Sequence, residues 1–211
     1  LREAIAIDPR SQMAIQAKFA LARTAMAQQD RNKARVICEE LLNDPNARVY
    51  RAQVYHQRGL VNKTDKDFTS ARRDFEAARK SQPENRYAAL AGIELAVLTA
   101  EEGKLDEAVT QLRGIATTRV DAVGASAQYH IGELLMHAKR FPEAREALLR
   151  VGYVFTDDAS MWNARALLQL GRISEAEGNA EAAKQFYKKV IAQYGGSDEA
   201  RDAQTRLEIL K

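Results

Sequence analysis

Cysteine occurs once in the 211 residues, at Cys38, so no internal disulfide framework and no cysteine metal cluster can form. Long apolar runs are missing as well. No uncharged stretch approaches the roughly 18–20 residues that a bilayer-spanning helix needs. Nor is there a large excess of one charge: 32 Lys and Arg face 29 Asp and Glu, and the sequence pI near 9.0 rests on a surplus of three. A nucleic-acid binder shows a clustered basic face, which this balance does not supply by itself, so nucleic acid is a disfavoured partner. Chemistry is thin too. The chain has three histidines and lacks a phosphate-cradling glycine loop, a nucleophile elbow and zinc-ligand spacing. No enzyme is expected. The chain opens "LREAIAIDPR" without a methionine and reads as a segment of something longer, with no leader to interpret.

What the sequence does have is a repeat. In "FTSARRDFEAARKSQPEN", apolar residues fall at Phe68, Ala71, Phe75 and Ala78, and Pro83 closes the run. This is one stripe of a 3.6-period helix with a stop signal. The register returns at Leu105, Ala108, Leu112 and Ile115, at Phe141, Ala144, Leu148 and Val151, and at Ala180, Ala183, Tyr187 and Val190. Upstream it reads Arg31, Ala34, Cys38 and Leu41. Alanines at 34, 71, 108, 144 and 183 are common to all five copies, spaced by 37, 37, 36 and 39 residues. Twelve residues before each alanine stands a second small residue: Ala22, Gly59, Ala96, Gly132 and Gly171. Asp30, Gly103 and Gly178-Asn179 mark the turns between. Small residues on both helices let an antiparallel pair approach closely, and bulky neighbours fill the flanking grooves.

Helix pairs built on Leu-Gly or Leu-Ala, then Gly, Ala, an aromatic, Ala and Pro resemble tetratricopeptide repeats, whose period is about 34 residues. The resemblance covers essentially the whole chain. It implies an all-α, right-handed superhelical solenoid of antiparallel helix pairs: five repeats at about 10–45, 46–83, 84–119, 120–157 and 158–196. Residues 1–9 would be the tail of an earlier repeat and 197–211 a capping helix. Two departures stand out. The periods are long, and the tyrosine expected late in each first helix is replaced by Ala25, Asn62, Thr99, Leu135 and Ser174. The linkers "YVFTDDA" and "YGGSDEA" are similar to those of bacterial cell-envelope lipoproteins with such repeats, which leaves periplasm and cytoplasm both open.

A solenoid of this kind presents a concave surface lined by the first helix of each pair, and the resemblance implies a partner protein or peptide bound there. Family positions place Phe19 and Arg23 in that groove from the first repeat, and Gln53 and His56 from the second. Ile93 and Val97 follow from the third. The fourth supplies Tyr129, Glu133 and Met136, and the fifth Arg165, Leu168 and Arg172. Apolar anchors flanked by Arg and Glu suit an extended or helical peptide. Chaperone-binding relatives clamp a terminal carboxylate with Lys and Asn, and those residues are absent here, so chaperone tails are disfavoured. The alternative is a structural or self-assembling spacer without a dedicated ligand.

The remaining polar residues have simpler readings. His130, Glu133 and His137 share one helix face, but the two histidines lie about 10 Å apart along the axis, too far to share an ion comfortably, so no metal and no cofactor are expected. Cys38 sits at the bulky core position and reads as packing. Asp157-Asp158 and Asp198-Glu199 read as helix openers. Residues 48–80 carry nine basic residues against four acids and read as a solvated helical surface, with an acidic partner or a phosphate using that surplus as the alternative. Met161 and Trp162 fall where the period stretches to 39, either exposed at a rim or packed on the preceding helix.

Overall fold

The structure is a computed structural model that describes Asp8, residues 11–155 and residues 160–210. Among these residues it contains eleven α-helices and no strand. The chain divides into two units, residues 1–98 and 99–211. The first holds α1 (Gln12–Ala27), α2 (Arg31–Asn43), a 3₁₀ turn (Pro45–Tyr50), α3 (Arg51–Thr64), α4 (Phe68–Ser81) and most of α5 (Arg86–Glu101). The second holds α6 (Leu105–Thr118), α7 (Ala122–His137), α8 (Phe141–Val154), α9 (Ser160–Ala176), α10 (Ala180–Gln193) and α11 (Asp198–Ile209). The strongest packing is between the two helices of α3/α4, α7/α8 and α9/α10.

Each pair turns over in the same way. The first helix ends on a residue with positive φ: Gln29 (62°), Lys66 (62°), Gly103 (84°), Lys139 (58°) and Gly178 (76°). The next residue sends its N–H back five residues, as in Asp30 to the Ala25 carbonyl at 2.8 Å and Asn179 to Ser174 at 2.8 Å. This closes the helix with a Schellman-type cap. Where that next residue is Asp or Asn, its side chain also opens the second helix: Asp30 accepts from the Lys33 N–H, Asp67 from Ser70 and Asn179 from Ala182. One residue therefore ends one helix and the next starts another.

The interlock inside a pair explains the repeat's small residues. All five common alanines are fully buried. The tightest fit lies at the small residue of the first helix, which meets the bulky residue sixteen positions on. A Cβ added at Gly59 would lie 2.5 Å from the Phe75 ring, and one at Gly132 would lie 2.5 Å from Leu148 Cγ. Gly171 is covered by the Tyr187 ring in the same way. In the first pair the bulky position holds only Cys38, and Ala22 packs in the same core. Burial pushes the Cys38 thiol up to about 12, which leaves it an inert packing group.

Three of the missing tyrosines are replaced by buried polar residues with partners, Asn62, Thr99 and Ser174. Asn62 donates to Asp74 Oδ2 at 2.9 Å, while Arg58 grips the same carboxylate through Nε (2.9 Å) and Nη2 (2.6 Å). Asp74 is only 2% exposed, so it and Arg58 tie α3 to α4 and do not belong to the solvated surface read from the charge count. Ser174 returns its hydroxyl to the Leu170 carbonyl at 3.0 Å.

The long step between Ala144 and Ala183 is spread out. Relative to the preceding step, one extra residue lengthens α9 and two lengthen the connection before it. Asp157 and Asp158 lie in that connection, outside the described residues. Asp198 and Glu199 do open α11, behind the Ser197 cap.

Candidate partner-binding cleft

In the second unit α7, α9 and α11 lie side by side as neighbouring first-of-pair helices. Between them opens a cleft of roughly 360 Å³ lined by Tyr129, His130 and Glu133 of α7, Arg165, Leu168, Gln169 and Arg172 of α9, and Glu199 of α11. Tyr129 and Glu133 are one turn apart and so share a face, as do Arg165, Leu168 and Arg172.

The polar groups of the cleft are fixed by one another. Tyr129 donates its hydroxyl to Glu133 Oε1 at 3.0 Å, and Gln169 Nε2 donates to the Tyr129 oxygen at 3.1 Å. His130 Nδ1 lies 3.0 Å from the other Glu133 oxygen. Arg172 Nη1 donates to Gln169 Oε1 at 3.3 Å and pairs with Asp202 of α11. Arg165 Nε donates to Glu199 Oε1 at 3.0 Å, and its guanidinium lies 4.9 Å from the Trp162 ring centre. Beneath it, Trp162 packs on Tyr129 (5.4 Å) and His130 (5.8 Å). The tryptophan is thus half-buried against the preceding first helix, while Met161 remains 48% exposed.

The electrostatics follow from this geometry. Burial raises the Tyr129 hydroxyl to about 12, helped by the Glu133 charge, so it stays a proton donor. Burial opposes ionisation of Glu133, but hydrogen bonds from His130 and Tyr129 outweigh it and hold the carboxyl below its usual range. Near neutral pH the cleft therefore carries two guanidiniums, two carboxylates and a phenol, each aimed by a second protein group.

Five of the twelve groove residues expected from the sequence meet here: Tyr129, Glu133, Arg165, Leu168 and Arg172. Met136, on α7, is half-buried and is not among the lining residues. In the first unit the expected positions divide by burial. Phe19 (2% exposed) is a core residue of α1, edge-on to Tyr50 at 5.8 Å, and Ile93 is 2% exposed. Neither has surface to offer a partner. Arg23 is exposed, and Gln53, His56 and Val97 are half-buried. The His56 ring contacts Phe75 and Tyr87, and burial lowers its pKa to about 4 against a weaker opposing pull from Glu94. His137 is exposed one turn beyond Glu133.

Three lining residues were not among the twelve expected groove positions, although His130 is read from the sequence as sharing a face with Glu133. His130 and Gln169 are each the direct neighbour of an expected groove position. Gln169 had a visible signal, a lone amide inside the apolar run Ala166–Gly171. Glu199 comes from the helix read as a cap, and its role arises from tertiary packing.

A profile described as "Tetratricopeptide repeat-like domain" matches residues 8–151, and one described as "Tetratricopeptide repeat" matches residues 165–197. Among solved structures, yeast Tom70 aligns with a TM-score of 0.73 at 15% identity, over 99% of this chain and 42% of its own. PilW, described as a widely conserved type IV pilus biogenesis factor, aligns at 0.63 and 17% identity over 94% of both chains. YrrB, described as a TPR protein with an unusual peptide-binding site, aligns at 0.51 and 17% over 97% of both. No curated protein matches the chain in sequence. With the profile covering more than half of its length and helix pairs of the matching architecture, the chain belongs to the tetratricopeptide repeat-like family.

Proposed function

We propose that the chain is a non-catalytic interaction scaffold that takes up a peptide segment of a partner protein in the cleft of α7, α9 and α11. The observation that supports it most is the state of the cleft's polar groups. Each is held by a second group, so a ligand meets a surface whose ordering cost is already met. Arg165 and Arg172 stay partly open, at 39% and 33% side-chain exposure, and can exchange Glu199 or Asp202 for a partner's carboxylate. Trp162, half-buried over Tyr129, offers the apolar anchor beside them, whereas Leu168 and Tyr129 are only 7% and 6% exposed and form its base. A fold of this family in YrrB, which is described as having a peptide-binding site, supports the same use of the scaffold. A place within a larger bacterial assembly fits the description of PilW.

The test is site-specific photocrosslinking in cells. A benzoylphenylalanine at His137, exposed at the cleft's edge, should yield a discrete adduct that disappears with Arg165→Ala or Arg172→Ala. The same probe at Arg113, exposed on α6, serves as the control. Equal adducts from both positions, or an adduct indifferent to both arginine changes, would remove the cleft from consideration.

A further inference from the structure

The entry to α3, in the first unit, carries two cations where a helix tolerates them least. Arg48 lies in the 3₁₀ turn and Arg51 opens α3, its N–H bonded back to the Arg48 carbonyl. Both therefore stand at the positive end of the helix dipole. The first turn of α3 holds no acid, and Tyr50 ahead of it supplies no side-chain cap. Side chains three apart in a 3₁₀ turn eclipse one another, which sets the two guanidiniums on one side. Among the described residues neither is paired with a carboxylate. Nothing inside the fold explains these charges.

The end of α4 brings two more. Gln82, just past α4, donates Nε2 to the Val49 carbonyl at 2.9 Å and accepts from the Ala52 N–H at 3.4 Å, so the α4 terminus abuts the turn. Arg79 and Lys80, in the last turn of α4, are exposed and likewise unpaired among the described residues. On α4 and its connection to α5 the exposed acids are Glu76 and Glu84, and neither forms an ion pair with these four cations. Asp44, which begins the turn, is spent on capping the Asn46 N–H. Between the cations stands Val49, 64% exposed. It is held out in solvent, because Gln82 pins its carbonyl and the fully buried Ala47 anchors the turn beneath it. Pro83, next to Gln82, is exposed too.

We propose that this end of the first unit docks on an anionic lipid bilayer, with Arg48, Arg51, Arg79 and Lys80 at the headgroups and Val49 entering their layer. Other polyanions fit less well. A nucleic-acid duplex meets the cations but has no place for an exposed aliphatic side chain projecting among them. An acidic peptide is gripped along a groove, whereas these cations stand on the ends of two helices around a fixed turn. A bilayer takes both terms at once, attraction of Arg and Lys to anionic headgroups and burial of apolar area at the acyl boundary. Arginine stems can lie along that boundary while their heads stay with the phosphates. The surface belongs to the first unit and does not depend on the cleft of α7, α9 and α11.

The experiment is co-sedimentation of the full chain at low salt with vesicles of equimolar phosphatidylglycerol and phosphatidylcholine, or of phosphatidylcholine alone. Binding should follow the anionic lipid, fall about fivefold for each cation removed, and vanish at about 1 M salt, where screening is nearly complete. Arg48→Gln with Arg51→Gln should lose about 25-fold while Tm holds or rises, because two charges leave the positive end of a helix. Unfolding then cannot account for the loss. Arg79→Gln with Lys80→Gln should lose as much. Lys33→Gln with Lys66→Gln removes equal charge from exposed positions at the opposite helix ends and should keep most of the binding. A nitrobenzoxadiazole label on V49C, with Cys38 fully buried, should brighten and shift to the blue on anionic vesicles, and one on K66C should not. The proposal is overturned by equal binding to both kinds of vesicle, by an equal loss in the Lys33 and Lys66 pair, or by a label at position 49 that keeps its aqueous emission. Tighter binding to polyglutamate than to vesicles of equal charge would assign the surface to an acidic protein and reject the bilayer.

Discussion

Gln29, Lys66 and Lys139 hold positive φ angles of 62°, 62° and 58°, at turn positions where the other two repeats carry glycine. A side chain there is strained by its own Cβ, so the turn geometry is imposed by the caps and not by residue preference. Replacing Lys66 by Gly should therefore stabilise the chain by about 0.5–1 kcal/mol, the relief of strain exceeding the extra freedom of the unfolded glycine. A thermal melt checks it, and a lower Tm would contradict it. The buried glycines behave in the opposite way. Gly171→Ala drives a Cβ into the Tyr187 ring and should cost about 1–3 kcal/mol by overpacking. Gly114→Ala in α6 meets nothing within 4 Å and should gain up to about 1 kcal/mol in helix propensity. Denaturant midpoints of the two variants should move in opposite directions. The alternation of small and large residues was legible in the sequence because it is a linear period. The positive φ at two lysines and a glutamine was not, because those residue types do not announce that conformation.

Within the helix pairs, polar residues act as ties. Asp74 is held by Arg58 and Asn62 in a site only 2% exposed. Asp74→Ala should cost roughly 3–5 kcal/mol, since it leaves the Arg58 charge without its partner, and adding Arg58→Leu should recover part of that loss in a double-mutant cycle. Additive losses would show that the pair is not coupled. From the sequence these two residues entered only a charge count. Burial of a charge depends on which helix lies opposite, and residue spacing along one helix does not report that. His56 in α3 gives the first unit a pH response. Its pKa falls to about 4 in the fold, first through burial, with Glu94 of α5 pulling the other way. The unfolded chain protonates it near 6.5. Between these values the unfolded state binds the additional proton, so stability is lost as pH falls from about 6.5 to about 4 and is level above that window. The half-buried ring limits the loss to at most roughly 3 kcal/mol. His56→Leu should flatten this part of the profile, and an NMR titration should find the imidazole neutral at pH 5. A ring that protonates near 6.5 in the folded protein would refute the account.

Across the whole chain, the architecture was legible and the ligand surface only in part. The repeat located the first helix of each pair, and the groove positions implied by the family resemblance gave Tyr129, Glu133, Arg165, Leu168 and Arg172, which meet in one cleft. Neither could separate lining from core, so Phe19 and Ile93 were expected at a surface they do not reach. The same limit applies to charge. Of the nine basic residues between 48 and 80, Arg58 is committed to Asp74, Lys63 pairs with Glu94 at 2.7 Å, and Arg73 reaches Ser70. Arg72 also has an internal interaction. Because α3 and α4 run antiparallel, Arg48 and Arg51 fall at the same end of the pair as Arg79 and Lys80, while Lys66 lies at the other end, about 20 Å away by helix rise. Four cations at one end can meet at most about four phosphates, giving a log-affinity slope against log-salt no steeper than about −4. Duplex DNA should accordingly bind only at low ionic strength and be released before about 150 mM salt, as fluorescence anisotropy would show. A slope near −8, or binding that survives physiological salt, would require a basic face that these ion pairs do not leave available.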